Sequence, residues 1–157
     1  IEKVNVKSAD EMYKAAKEYF QESDIIVFAA AVADYKPKKS ERQKIKKKEE
    51  GIELELVKNV DIAAELGKLK TKKQITVGFA LETENEESNA IQKIKSKNFD
   101  FIVLNSLNDK GAGFQSDTNK VKIIHSNNKV FDFKLKSKKE VAEDIIDIII
   151  QSLNGKT

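Results

Sequence analysis

Apolar runs of strand length that alternate with helix-period segments restrict the fold of this chain most strongly. The runs cover residues 25–31, 75–80 and 99–104, and each is long enough for one strand. Helical spacing is found over residues 60–69 and 86–97, between these runs. A continuous apolar run is typical of a strand covered on both faces. Strands separated by helices need crossover connections, so the sequence predicts an α/β fold with a Rossmann-like, doubly wound, mostly parallel sheet.

Helices are also predicted near both ends of the chain. Ser8 and Ser137 are each followed three residues later by glutamate, which is the capping-box pattern at a helix start. A chain of 157 residues is long enough to bury the core of one domain, and we expect a single domain over residues 1–157.

Two hairpins are expected in addition to the parallel strands. Residues 44–57 follow a period of two, which predicts an inserted antiparallel hairpin with one solvated face. Val121–His125 and residues 130–135 flank a polar turn and predict a second hairpin. The only histidine, His125, lies in this second hairpin and is interpreted as structural.

The composition excludes several classes of protein. No apolar run reaches the ~20 residues that a membrane span requires. There are no cysteines, so neither disulfides nor thiolate chemistry is available. The net charge of +3 lacks the large basic excess of a dedicated nucleic-acid-binding protein. We expect a cytoplasmic protein with no membrane or nucleic-acid partner, and because the chain begins at Ile1 we expect it to be a piece of something longer.

In parallel α/β sheets, ligands bind beyond the carboxyl ends of the strands. The first run ends in small residues, including Ala30, which let a ligand approach the backbone, and it leads to Asp34. Asp34 has the chemistry to bind a ribose hydroxyl, a base amine or a metal, or it is a turn residue that caps the strand. Phe79 follows Gly78 near the end of the second run, and it either stacks on a base or belongs to the core.

Lysines near these strand ends are candidates for phosphate binding. Residues 36–48 carry eight basic side chains, and most of them fit a solvated loop. Lys44 differs because it opens the alternating segment, where an aimed ammonium can offset charge that develops during nucleotidyl transfer. Lys93 and Lys97 share a helix face and are interpreted either as an anion site or as surface lysines.

The start of the helix near residue 60 offers another candidate anion site. Asn59, Val60, Asp61 and Ile62 lie where a helix presents free amides and its positive dipole end. The alternative is ordinary helix capping by Asn59 or Asp61. There is no Gly-rich phosphate loop of the dinucleotide or P-loop type in this chain.

Several segments together resemble the phosphopantothenate–cysteine ligase family, the synthetase part of the bacterial bifunctional coenzyme A biosynthesis flavoprotein. The segments occur in the family's order and spacing, and they are residues 29–37 (Ala-Ala-Ala-Val-Ala-Asp-Tyr-Lys-Pro), 44–47 (Lys-Ile-Lys-Lys), 59–62, 78–83, 93–105 and 113–119. The resemblance covers nearly the whole chain.

The resemblance implies a reaction and a set of ligands. In the family, CTP activates the carboxylate of 4′-phosphopantothenate as an acyl-cytidylate, and the cysteine amine then displaces CMP. Mg²⁺ is required, the enzymes are homodimers, and FMN belongs only to a fused decarboxylase domain that we do not expect here. By the same resemblance, Lys44 is the essential lysine, Asp34 and Phe79 serve the ribose and base, and Lys93, Lys97 and the turn at residues 59–62 serve the triphosphate.

The departures from the family pattern qualify this expectation. Val60 replaces the usual proline, Leu81 replaces an alanine, and Ser106 replaces an aspartate. The family's amino-terminal Gly-rich segment has no match, so the chain resembles about the carboxy-terminal two-thirds of the synthetase domain. We therefore expect that these residues alone do not complete the reaction. The rival interpretations are a non-catalytic polyanion or nucleic-acid-binding module that uses residues 36–48, and a scaffold that only dimerises.

Overall fold

The computed structural model describes residues 1–39, 43, 51, 53–106 and 117–155, which contain four helices and nine strands. In this part of the chain, no helix combines the length and apolar character needed to cross a membrane. In chain order the elements are α1 (Ala9–Phe20), β1 (Ile25–Phe28), β2 (Tyr35–Pro37), β3 (Leu56–Lys58), α2 (Ile62–Gly67), β4 (Ile75–Glu82), α3 (Glu86–Lys97), β5 (Phe101–Ser106), β6 (Thr118–Asn119), β7 (Val121–His125), β8 (Val130–Asp132), β9 (Lys136–Ser137) and α4 (Lys138–Asn154).

The central sheet has five strands in the order β1-β4-β5-β7-β8. The pairs β1–β4 and β4–β5 are parallel, whereas β5–β7 and β7–β8 are antiparallel. The predicted α/β class is confirmed, and the sheet is mixed because the second predicted hairpin joins its edge. Two small antiparallel pairs, β2–β3 and β6–β9, lie outside this sheet.

Helices cover both faces of the sheet. The apolar stripe of α4 packs against β4, β5 and β7, and its predicted capping box at Ser137 and Glu140 is present. On the other face, α3 packs on β4, β5 and β7 through Ala90 and Ile94, and α1 and α2 form a smaller cluster around Phe20. The alternation of strands and helices in the sequence therefore predicted the layers correctly.

Strand β1 differs from its prediction. It ends at Phe28, and the side chains of Ile25 and Val27 are exposed, so the run is not covered on both faces. The physical reason is that β1 is an edge strand of the described sheet and the buried stripe of α4 packs against the inner strands instead.

The inserted antiparallel pair also differs from its prediction. It joins β2 to β3 in the register Tyr35 with Lys58 and Pro37 with Leu56, so it begins earlier in the chain than residue 44. Residues 44–50 and 52 lie outside the described residues. The prediction gave this hairpin one solvated face, yet Leu54 and Leu56, which alternate with glutamates, are themselves 64% and 54% exposed.

A largely buried ion pair joins several elements at the amino ends of β4 and β5. Lys70 Nζ lies 2.6 Å from Asp100 Oδ2, and the two side chains are only 9% and 17% exposed. The Thr76 backbone amide donates to the same carboxylate oxygen at 2.8 Å, and the Thr76 hydroxyl donates to the carbonyl of Asn98. On the side of the β7–β8 turn, the Ser126 amide donates to the Asp100 backbone carbonyl. Asp100 thus holds β4, β5 and the β7–β8 turn together.

Replacing Asp100 by alanine is expected to lower the free energy of unfolding by about 3 kcal/mol, because it leaves the largely buried Lys70 ammonium without a counter-charge and removes the acceptor of the Thr76 amide. The measurement is urea denaturation at neutral pH. The matched control is Glu65→Ala, which breaks an exposed pair with Lys68 and should cost less than about 1 kcal/mol. Equal losses in the two variants would contradict the role given to Asp100.

His125 packs between two aromatic rings in the β7–β8 hairpin. Its ring centroid lies 5.0 Å from that of Phe101 and 5.6 Å from that of Phe131. Its Nε2 is buried and, among the described residues, has no hydrogen-bond partner. Burial lowers the pKa of His125, as does the nearby Lys129 ammonium, while Asp100 opposes the change. The structural interpretation of this histidine agrees with its packing.

Because the folded state lowers the pKa of His125, the unfolded chain takes up its proton first as the pH falls below about 6.5. The native protein should therefore lose stability from about pH 7.5 to about pH 5.5, and His125→Gln should lose less over the same interval. Urea midpoints at the two pH values measure the difference. Parallel losses in both proteins would show that His125 does not contribute to it.

Candidate functional site

A cavity of about 410 Å³ lies along β1 and the segment that follows it. Its floor comes from α1, β1 and α2, and its polar wall comes from residues 33–34, from the start of α2 and from the end of α3. The sequence-predicted residues that it brings together are Ala30, Asp34, Asn59, Val60, Asp61, Ile62 and Lys97. The cavity therefore collects side chains from three separate parts of the sequence.

Asn59 connects the two sides of this cavity. Its backbone amide donates to the Asp34 carbonyl at 2.8 Å, and its Nδ2 donates to the Ala33 carbonyl at 2.8 Å. These bonds continue the β2–β3 pairing by one residue, which holds the strand end beside the start of α2. The Asn59 Oδ1 atom is buried and has no hydrogen-bond partner among the described residues, so it is a free acceptor.

Asp61 caps α2, which agrees with the interpretation of this turn as an ordinary helix cap. Its Oδ1 accepts from the Ala64 amide at 3.0 Å, so part of the expected anion site is already filled by this carboxylate. Burial alone would raise the pKa of Asp61, but hydrogen bonds from the Ala64 amide and from Lys97 hold it below its usual value. Asp61 is therefore ionised at neutral pH. Ile62, by contrast, is buried in the apolar cluster with Phe20 and belongs to the floor of the cavity.

The two predicted phosphate-binding lysines of α3 have different partners. Lys97 Nζ lies 3.0 Å from Asp61 Oδ1 and 2.9 Å from Oδ2, at the cavity wall. Lys93 forms an ion pair with Glu82 at the end of β4 and does not line this cavity. Burial tends to raise the pKa of Glu82, but hydrogen bonds from Lys93 and Asn89 lower it below its usual value. Each lysine therefore pairs with its own carboxylate, and phosphate binding by the two lysines stays a prediction.

Phe79 lies away from the cavity. Its neighbour Gly78 faces Phe99, since a Cβ on Gly78 would come 2.2 Å from the Phe99 ring, and alternation puts Phe79 on the opposite face of β4. Phe79 is 36% exposed, so the core interpretation is wrong. The space beside Gly78 is filled by Phe99 and does not admit a ligand.

The predicted catalytic lysine, Lys44, lies outside the described residues, so its role stays a prediction.

The sequence analysis did not predict that helix α1 contributes to the site. Met12, Ala16 and Phe20 of this helix line the cavity. The signal was present as their four-residue spacing on α1, but such a stripe is typical of core packing and carries no sign of a ligand. Within the described ranges, no group of three or more His, Cys, Asp or Glu side chains is placed to hold a metal ion.

Comparison with known proteins gives one matching family and several relatives. The family described as "DFP: DNA/pantothenate metabolism flavoprotein C-terminal domain" matches residues 1–153. A cysteine/cysteine sulfinic acid decarboxylase from an unknown prokaryotic organism is 51% identical over 147 residues, which are 94% of this chain and 41% of that protein. The coenzyme A biosynthesis bifunctional protein CoaBC of Bacillus subtilis is 42% identical over 146 residues, which are 93% of this chain and 36% of that protein.

A solved structure agrees with this match. The crystal structure of the C-terminal domain of coenzyme A biosynthesis bifunctional protein CoaBC superposes with a TM-score of 0.78 at 36% identity. The superposition covers 97% of this chain and 68% of that one. The chain spans about two fifths of the length of the curated relatives described above.

Gly67 allows α2 to approach the end of α3, and its replacement by alanine should be destabilising. A Cβ at this position would lie 2.1 Å from the carbonyl oxygen of Lys97, so one helix would have to move, at a cost of about 2 kcal/mol. Urea denaturation measures the loss. In the control, Gly155→Ala, the nearest atom to the new Cβ is 3.6 Å away, and alanine's higher helix propensity should leave stability unchanged or raised. A neutral Gly67→Ala variant would show that the helix contact is not tight.

Proposed function

The chain belongs to the DNA/pantothenate metabolism flavoprotein C-terminal domain family, and we propose that it supplies the nucleotide site of a phosphopantothenate–cysteine ligase. In this proposal, CTP converts the carboxylate of 4′-phosphopantothenate into an acyl-cytidylate with loss of pyrophosphate, and the cysteine amine displaces CMP. The observation that carries the proposal is the single cavity that joins Ala30, Asp34, the turn at residues 59–62 and Lys97. The similarity to CoaBC supports the choice of reaction.

Several polar groups of the cavity have chemistry that fits this reaction. The Asp34 carboxylate accepts hydrogen bonds and suits the ribose hydroxyls, while the small side chain of Ala30 leaves room for the nucleotide near the backbone. The free acceptor Asn59 Oδ1 suits a donor on the nucleotide. Lys97 has the charge for a phosphate. Phe79 and Lys93 stay candidates from the sequence resemblance, since neither lines the cavity.

Lys44 is the proposed catalytic residue. It lies in the connection between β2 and β3, and the bonds from Asn59 to residues 33 and 34 fix the base of that connection beside the cavity. An ammonium delivered from this connection would offset the negative charge that builds up on the phosphates as the acyl-cytidylate forms.

Magnesium belongs to the proposal as the family's usual requirement, and Mg²⁺ is commonly held by one or two carboxylates together with substrate phosphates. Asp34 and Asp61 line the cavity, but they are not part of a cluster of three or more metal ligands.

A homodimer is also proposed. Tyr35 and Leu56 are exposed, and the β2–β3 register places both on the same side of that pair, together with Pro37. An exposed apolar surface of this kind supports an interface with a second copy.

The test of this function is the substitution Lys44→Ala in the intact enzyme. We expect pyrophosphate release from CTP in the presence of 4′-phosphopantothenate to fall at least about a hundredfold, because the charge that develops on the phosphates loses its counter-charge. The control is Lys39→Ala, an exposed lysine on the same connection, which should keep most of the activity. Near-normal turnover in the Lys44 variant would contradict the assignment.

Calorimetry on the same proteins separates the rival functions. Binding of CTP in preference to ATP and to an oligonucleotide supports the ligase, whereas equal binding with steep salt dependence supports a polyanion-binding module. The name of the 51% identical relative makes cysteine decarboxylation the other activity to assay. Release of CO₂ from cysteine without consumption of CTP would contradict the proposed ligation.

A further inference from the structure

The ion pair between Asp61 and Lys97 lies at the wall of the cavity that is proposed to bind the nucleotide. Both side chains line the cavity, and the ammonium lies within 3.0 Å of both carboxylate oxygens. The side chains are 52% and 25% exposed, so the pair is open to exchange with a ligand from solution. An exposed pair of this kind contributes little to stability, which leaves it free to serve another purpose.

The two partners are held very differently. Asp61 Oδ1 also accepts from the Ala64 amide at 3.0 Å, so the carboxylate stays in place when Lys97 leaves. Lys97 reaches the pair through a flexible four-carbon stem, and within the described part of the chain Asp61 is the residue of the α2 start to which its Nζ bonds. An exchange of partners therefore moves the lysine and leaves the start of α2 intact.

The charges that line the cavity favour such an exchange over simple addition of an anion. Among the described residues of the lining, the charged side chains are Asp34, Asp61 and Lys97, so two negative groups face one positive group. A phosphate that enters without taking Lys97 meets a net repulsion. Its binding must overcome the attraction that Asp61 already has for the same ammonium.

From this geometry we propose that Asp61 is a positioning residue that holds Lys97 at the cavity wall until a phosphate-bearing ligand takes the ammonium. The affinity of the site for phosphates is then set by competition between the ligand and Asp61. The inference rests on the proposed nucleotide site and adds the means by which that site exchanges its phosphate ligands.

The first test is Asp61→Asn in the intact protein, with CTP and inorganic tripolyphosphate as probes in calorimetry at one fixed salt concentration. Asparagine caps a helix about as well as aspartate, so α2 should be kept while the competing charge is lost. We expect both probes to bind about three- to tenfold more tightly. If the variant does not fold, Asp61→Ser repeats the test, since serine is also a good cap without a charge.

The matched control is Asp144→Asn, which removes one charge from a partly buried pair with Lys136 away from the cavity. It should change the binding of CTP by less than about twofold. Equal tightening in the two variants would overturn the proposal, because a general change in net charge would then be sufficient.

A double-mutant cycle decides whether Lys97 is the group exchanged. Lys97→Gln should weaken the binding of both probes, and Asp61→Asn should tighten binding clearly less in the Lys97→Gln background than in the native protein. Equal tightening in the two backgrounds would show simple repulsion by Asp61 and overturn the exchange. If the native protein binds CTP but Asp61→Asn has no effect, only this inference fails. If the native protein binds no CTP, the proposed nucleotide site fails with it.

Discussion

The described sheet depends on the carboxylate of Asp100, because this one group joins elements that are far apart in the sequence. It pairs with Lys70, which precedes β4, and it accepts from the backbone of Thr76 inside β4. Its own backbone carbonyl accepts from Ser126 in the β7–β8 turn. A largely buried carboxylate with this many partners fixes the relative position of the strands, because its hydrogen bonds have a directionality that apolar contacts lack.

The same network extends to the candidate site. The carbonyl of Asn98, at the end of α3, accepts from the Thr76 hydroxyl and from Lys70 Nζ, and the Asn98 side chain donates to the carbonyl of Gly67 in α2. The close approach at Gly67 completes the contact between these two helices. The end of α3 is therefore held from the sheet on one side and from α2 on the other, and Lys97 is directed toward Asp61 from a fixed base. The contacts that stabilise the amino ends of β4 and β5 therefore also fix the position of Lys97 at the cavity.

Local sequence patterns predicted the helices and strands well, but they predicted the burial of individual side chains less well. The cap at Ser137 and the span of α3 follow from residues within one or two turns, and the structure agrees with both. The exposure of Val27, Leu56 and Phe79 did not follow from the sequence, because burial depends on which other element packs there. Membership of the cavity was predicted for the strand end and for the turn at residues 59–62. It was not predicted for α1, whose apolar stripe has the same pattern whether it meets a core or a cavity.

The lysines show why a site cannot be assigned from spacing alone. Lys93 and Lys97 are four residues apart and share a helix face, yet each meets a different carboxylate, from β4 and from the start of α2. The described lining of the cavity then carries two negative charges and one positive charge. A triphosphate placed there requires positive charge from outside this lining. The basic segment 36–48 begins in β2, whose partner β3 leads to Asn59, so its lysines are the nearest further positive charges along the chain from this edge of the cavity. The proposed nucleotide site therefore depends on both parts of the sequence, because the repulsion of a phosphate by Asp34 and Asp61 has to be offset by more positive charge than Lys97 provides.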